Sequence, residues 1–431
     1  MYGLSRDEFR FAIIVSSAHF SQHVYYRILP PLIPVLAVAL EYPLWQLGLL
    51  ISIYSFGMGV TQAPLGMLSD KIDRNYLLAP GIALTGAAYL LFAISPLLAE
   101  PIPGVTIAGY AFEGGFLLMS VSMIFVGVGL SVVHPTGYPL ISDNIPASQK
   151  GKVLGLFGAS SKFGDAATPT IVAGLIILLD WQTIILLFGG FGILYGTALY
   201  VVLRQDTYVT KPAGARVEQE SMEKKREKQD SRTFLYPMLA MYGFFVATMV
   251  GIQAINTFLP TFIVEVYEYT VEIGGINLGA ESVANLYFAM LLLSGGIMQL
   301  ILGGVTDAKE PRTVLLWCMI AATVGMVFLA LVPVSPLSLI FVIILLGAGL
   351  NGLNPARDAL ISTLSPAEHE GRTFGYFFTV GSLVAAPMPA LIGYLLDTVG
   401  MRTGYLLLAS GPFVAVLCIA LLYSDRVYKK A

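Results

Sequence analysis

Twelve stretches of roughly twenty or more mostly apolar residues, parted by short polar turns, constrain this chain more than any other feature of its 431 residues. They fall near 11–38, 44–68, 76–99, 115–143, 152–179, 183–203, 234–262, 283–305, 313–334, 338–363, 373–396 and 404–424. A run of that length matches the hydrocarbon thickness of a bilayer only as a helix. In lipid, moreover, a spanning backbone must satisfy its own polar groups. Only 12% of the residues are charged, against about 25% for a soluble domain. The chain is therefore predicted to be an all-α membrane protein with twelve transmembrane helices. The first run carries His19, His23 and Arg27 where a cleavable signal would be bland, so it is expected to stay as the first helix.

Orientation follows from the cations. With the N-terminus inside, 20 of the 24 Lys and Arg fall on the cytoplasmic side and only Arg402 on the other. The positive-inside rule then puts both termini in the cytoplasm of a cell (plasma) membrane protein. Cys318 and Cys418 both lie inside apolar runs, so no disulfide framework is expected. A net charge of −3 argues against nucleic acid as a partner, and a monomer in the lipid bilayer is the expected state.

The chain is written twice. A shift of 220 lays His134–Gly151 on Asn354–Gly371, with 11 ungapped identities between 135 and 169, including Pro135, Ser142, Gly155, Phe157 and Pro169. The charged turn G66-M-L-S-D-K-I-D-R74 returns as G303-G-V-T-D-A-K-E-P-R312 at a shift of 237, and Leu29–Pro30 matches Leu259–Pro260 at 230. The shifts differ because residues are inserted at Ser95–Gly115 and Val264–Ser282, both on the outside. Two six-helix bundles are expected, 1–203 and 234–431, joined by a charged cytoplasmic linker at 204–233. Parallel repeats of this kind belong to carriers that hold solute between the two copies.

At these residues the chain resembles the major facilitator superfamily. Gly66, Leu68, Asp70 and Arg74 occupy positions of the family's turn between helices two and three, with Asp73 where a second glycine is usual. Within that family, His134–Pro135, G155-L-F-G-A-S-S-K-F-G164 and H19-F-S-Q-H23 are similar to the fosmidomycin-resistance exporter group. Two motifs of drug:proton antiporters depart from pattern: Met123 stands where an arginine is common, and helix five reads Thr168–Pro169 in place of Gly-Pro. The resemblance implies a cytoplasmic latch made of Asp70, Arg74 and Asp143, and in the second copy Asp307 and Arg312. It also implies that helices one, four, seven and ten line a central cavity.

Ionisable groups inside membrane helices cost at least about 2.5 kcal/mol each on insertion scales, so they are expected to face water or one another. This chain keeps Arg27, Lys162, Asp165, Arg357 and Asp358, and three histidines, His19, His23 and His134. At 100° per residue His19, His23, Tyr26 and Pro30 share a face of helix one. Asn351, Asn354 and Asp358 line up in the same way on helix ten, and the resemblance adds His134, Gln253 and Asn256 as cavity polar groups. Three cations against two carboxylates favour an anionic solute bound by Arg27, Lys162 or Arg357, with the polar residues and His23 and His134 beside it. The opposing reading pairs Lys162 with Asp165 and Arg357 with a gate carboxylate. Asp165, Asp358, His19, His23 and His134 are the expected proton-coupling groups. No nucleotide-binding G-x-x-x-x-G-K-[ST] loop, cofactor motif, metal-ligand set or catalytic constellation is read.

The function these features support is secondary active transport of a small anionic or zwitterionic organic solute, coupled to protons, and not enzymatic. An exporter of amphipathic drugs is the alternative within transport. A membrane sensor that binds without moving its ligand is the alternative outside it. Liposome counterflow separates carrier from sensor.

Overall fold

The computed structural model describes residues 3–205, 207–212, 231–365 and 370–424. The charged centre of the linker, Glu218–Asp230, lies outside the described residues. Among the described residues, eleven helices are long and apolar enough to cross a membrane: α1 (Arg6–Leu40), α2 (Leu44–Ser69), α3 (Asn75–Ile94), α4 (Gly114–Asn144), α6 (Trp181–Leu203), α7 (Tyr236–Tyr267), α8 (Ala280–Ala308), α9 (Pro311–Leu331), α10 (Pro336–Leu364), α11 (Tyr376–Val399) and α12 (Met401–Leu421). Between α4 and α6 runs α5 (Ala147–Leu175), a 29-residue helix that carries the embedded Lys162 and Asp165. With it, the twelve expected spans are present.

Several of these helices carry proline, three of them breaking just before it, α1 at Pro30, α10 at Pro355 and α11 at Pro389. Proline has no N–H, so the carbonyl four residues earlier loses its helical partner and must find another. Pro30 frees the carbonyl of Tyr26, which the Tyr54 hydroxyl caps at 3.0 Å from α2. Pro139 frees Pro135, whose carbonyl accepts from Ser69 Oγ at 3.0 Å. Pro355 frees Asn351, whose carbonyl accepts from Gln299 Nε2 at 2.7 Å. Pro389 frees Ala385, and Gln253 Nε2 donates to it at 3.1 Å. Pro169 lies inside α5, which stays helical through it.

Helix contacts are made by small residues. Along α3 and α6, Gly86, Gly189 and Gly196 bring the backbones so close that a Cβ on Gly86 would stand 2.5 Å from the Gly189 carbonyl oxygen. The large apolar side chains left exposed, such as Phe191, Leu194, Leu300 and Phe341, belong to the lipid-facing surface.

The two insertions, Ser95–Gly115 and Val264–Ser282, hold structure that the apolar pattern did not announce. Each is a two-stranded antiparallel hairpin: β1 (Val105–Ile107) with β2 (Tyr110–Phe112), and β3 (Val271–Ile273) with β4 (Ile276–Leu278). Both turn in two residues of positive φ, Ala108–Gly109 and Gly274–Gly275. Such a turn follows the right-handed twist of the strands it joins.

Two compact units are present. The first comprises Met1–Pro212, Asn256–Leu293 and Ala386–Met401; the second comprises Ala213–Ile255, Ser294–Ala385 and Arg402–Ala431. The first unit has a dense apolar core of Phe11, Val15, Leu78, Val132, Leu140, Ile141 and Phe157, which joins α1, α3, α4 and α5. In the same unit α2 crosses α11 closely: a Cβ on Gly48 would drive into the Pro389 carbonyl oxygen, and one on Gly393 would meet that of Leu44 at 2.5 Å. There Asp397 accepts from the Leu44 and Trp45 amides, at 3.0 and 2.9 Å. These are unpaired amides of the first turn of α2, whose N-cap is Pro43 and supplies no side-chain acceptor.

Candidate functional site

The polar residues of α1, α4 and α5 converge in the first unit. α1 is helical to Tyr26, opens at Arg27 and Ile28, and resumes at Leu29, ahead of Pro30 and Pro31. Arg27 therefore occupies the joint of a broken helix. Its Nε donates to Asp165 Oδ1 at 2.8 Å, and its guanidinium lies 5.1 Å from the centre of the Tyr26 ring. The side chains of Arg27 and Asp165 are only 12% and 5% exposed, so this is a buried ion pair. His23 Nδ1 meets the same Oδ1 at 3.1 Å. A carboxylate oxygen accepts, so His23 donates there.

Lys162 stands apart from this pair. Its Nζ is 4.0 Å from Asp165 Oδ2, and its side chain is 36% exposed. The sequence offered Lys162 and Asp165 as a self-contained pair, but Arg27 and His23 hold the carboxylate more closely. One carboxylate thus serves two permanent cations, and the cluster keeps a surplus positive charge on the partly exposed Lys162.

Above the ion pair the three membrane histidines pack together. His19 lies edge-on to His23 and to His134, with ring centres 4.9 and 5.1 Å apart, and it stacks on Phe157 at 4.0 Å. His19 Nδ1 meets the Phe157 carbonyl oxygen at 2.6 Å. His134 stacks on Tyr138. Sequence periodicity put His19 and His23 on one face of α1. Their approach to His134, far along the chain, needed the packing of α1 on α4.

The remaining candidates are placed as follows. In the second unit Arg357 is buried, pairs with its neighbour Asp358 at 2.8 Å and lies over the Phe245 and Phe378 rings at 5.7 and 5.4 Å. Gln253 spends its amide on the carbonyl that Pro389 frees. Asn351 lies in the irregular turn Gly347–Asn351 of α10, and Asn354 opens the regular segment that follows. Asn256 is buried in the first unit.

The charged turn after α2 also has a definite geometry. Arg74 Nη1 donates to Asp143 Oδ2 at 2.6 Å, as the sequence anticipated. The segment after α6 supports that pair. Val209 exchanges two hydrogen bonds with the Asn144 side chain, both 2.8 Å, and the Arg74 amide donates to the Thr210 carbonyl at 3.1 Å. Asp70, expected in the same latch, has no ion-pair partner among the described residues. Asp73 accepts from the Asn75 amide at the start of α3, at 2.9 Å. In the second copy Arg312 bonds its near neighbour Glu310 and the Leu422 carbonyl, and it lies 4.7 Å over the Tyr423 ring. Asp307 has no ion-pair partner among the described residues. The second turn is therefore not a copy of the first in its contacts, since Thr363 stands where Asp143 does and Arg312 finds local acceptors.

Twelve membrane helices with a repeat in sequence, and charge buried among them at a helix break, define a multi-pass membrane transporter. The chain matches the model of the Major Facilitator Superfamily over residues 15–288 and again over 275–431, and it belongs to that family. It is 22% identical to a probable L-galactonate transporter of Escherichia coli (strain K12), over 82% of this chain and 75% of that one. It is likewise 22% identical to a probable galactarate/D-glucarate transporter of Bacillus subtilis (strain 168), over 87% of this chain and 83% of that one. Among solved structures, a D-xylose-proton symporter superposes with a TM-score of 0.74 at 12% identity, covering 95% of this chain and 97% of that one. That likeness establishes the fold.

Proposed function

We infer that the protein carries a small organic anion of the sugar-acid class across the plasma membrane by alternating access, with the proton gradient as its energy source. The observation that carries this reading is the Arg27, Asp165 and Lys162 set, two cations on one carboxylate beside the break in α1. An incoming carboxylate gains charge-assisted hydrogen bonds from a guanidinium whose planar fork suits it, and from a partly exposed ammonium. A neutral solute gains neither. The sugar-acid names of two relatives support the class. In this reading both termini are cytoplasmic, on the 20 to 1 bias of Lys and Arg, and Arg74–Asp143 is a latch on that side.

The test is uptake of radiolabelled D-glucarate and L-galactonate into proteoliposomes with an imposed pH gradient. Saturable uptake that a protonophore collapses, and that Arg27→Gln reduces at least tenfold while the protein stays folded, is the expected result. Wild-type uptake by Arg27→Gln would overturn the anion site. Transport of amphipathic drugs with no response to any organic acid would overturn the substrate class.

A further inference from the structure

The histidine cluster is built as metal-binding histidines are built. One ring nitrogen from each of His19, His23 and His134 lies within 4.8 Å of the other two. A carbonyl oxygen can only accept, so the 2.6 Å contact to Phe157 fixes His19 as the Nδ1–H tautomer, with its lone pair on Nε2. That Nε2 is buried and has no partner, and the residue is only 4% exposed. A buried lone pair facing nothing is a cost that a structure seldom leaves in place. His23 is oriented in the same way by the Asp165 carboxylate at 3.1 Å, which leaves its Nε2 free. A backbone carbonyl on one imidazole and a carboxylate on the next are the outer partners that orient histidine on a metal and raise its basicity. His134 has no hydrogen-bond partner among the described residues.

The geometry points to a binding site for one divalent late first-row metal ion, Zn2+ being the best match, held by His19, His23 and His134 inside the first compact unit. Neutral imidazole suits such ions, whereas Mg2+ and Ca2+ require oxygen. In a tetrahedral Zn2+ site with bonds of about 2.05 Å the ligand nitrogens stand roughly 3.4 Å apart. The cluster is looser than that, so binding requires the half-buried His23 and His134 rings to draw closer to His19. The fixed charges of Arg27 and Asp165 cancel, and the one remaining permanent cation, Lys162, lies 4.0 Å from the far carboxylate oxygen. Three nitrogens leave the metal one open position.

The experiment uses the full chain, purified without a polyhistidine tag and stripped with a chelator. Zn2+ is titrated against a chromophoric competitor, and Co2+ substitution is followed by visible absorption. One equivalent of Zn2+ per chain is expected, with a tetrahedral Co2+ spectrum. His134→Gln and His23→Asn should each weaken binding at least tenfold, while His369→Gln, at the fourth histidine of the chain, should leave it unchanged. His134→Gln is the decisive variant, because its ring is half-buried and its loss leaves the His19–Phe157 contact intact. Absence of stoichiometric Zn2+ binding, or unchanged binding in the His23→Asn/His134→Gln pair, overturns the proposal. Neither result touches the anion-transport reading, which rests on Arg27 and uptake.

Discussion

Replacing Asp165 with Asn is the sharpest test of how the first unit carries its buried charge. Asp165 accepts from Arg27 at 2.8 Å and His23 at 3.1 Å, and its side chain is 5% exposed. The substitution keeps the shape and removes the anion, so it strands a guanidinium that is itself nearly out of solvent. Breaking a buried pair from one side typically costs about 3–5 kcal/mol, because the partner's charge is left uncompensated. Arg27→Gln should cost less, about 1–3 kcal/mol, since Asp165 keeps the His23 N–H and the nearby Lys162. The double variant removes both charges and should lose clearly less than the sum of the two. A coupling of at least about 1.5 kcal/mol is expected for residues in direct contact. Reversible SDS unfolding in mixed micelles, run on wild type, both single variants and the double, reads it. Additivity within about 0.5 kcal/mol, or an Asp165→Asn protein as stable as wild type, would refute the reasoning.

Tyr54→Phe removes the hydroxyl that caps the Tyr26 carbonyl, and should destabilise by about 1–3 kcal/mol in the same unfolding assay, because a buried acceptor is left unpaired. Gly48→Ala drives a methyl into the Pro389 backbone and should cost about 1–3 kcal/mol, visible as a lowered thermal midpoint; Gly59→Ala, which meets nothing within 4 Å, is its control. Asp180, in the loop before α6, accepts from the Thr183 amide and so holds its carboxyl below the usual range. A depressed carboxyl contributes stability that is present above the unfolded value near 3.8 and is lost as pH falls through its folded value. Asp180→Ala should therefore lower the thermal midpoint at pH 7 and leave it unchanged at the acid end of that titration.

Much of the architecture was legible because lipid leaves few options. Each apolar run had to be a helix, and run ends placed Arg74 within reach of Asp143 before any coordinates. The hairpins were missed, although Ala108–Gly109 and Gly274–Gly275, each flanked by alternating residues, carry the two-residue turn signal. Apolar length overshadowed it. Gln253 counts as a cavity residue on the family resemblance, which puts helix seven on the cavity wall. Its partner is the carbonyl that Pro389 frees, 132 residues along the chain, which only packing brings near. The histidine cluster was half visible: i,i+4 spacing joined His19 to His23, but orientation of their lone pairs came from Phe157 and Asp165 on another helix.

Because Arg27 sits at the point where two rods of α1 meet, anything that pulls on its guanidinium pulls on the pivot itself. A carrier usually needs a relay between cargo and the bending part. On the proposed function the recognising group and the fulcrum are one residue, so occupancy biases the angle of α1 without an intermediate.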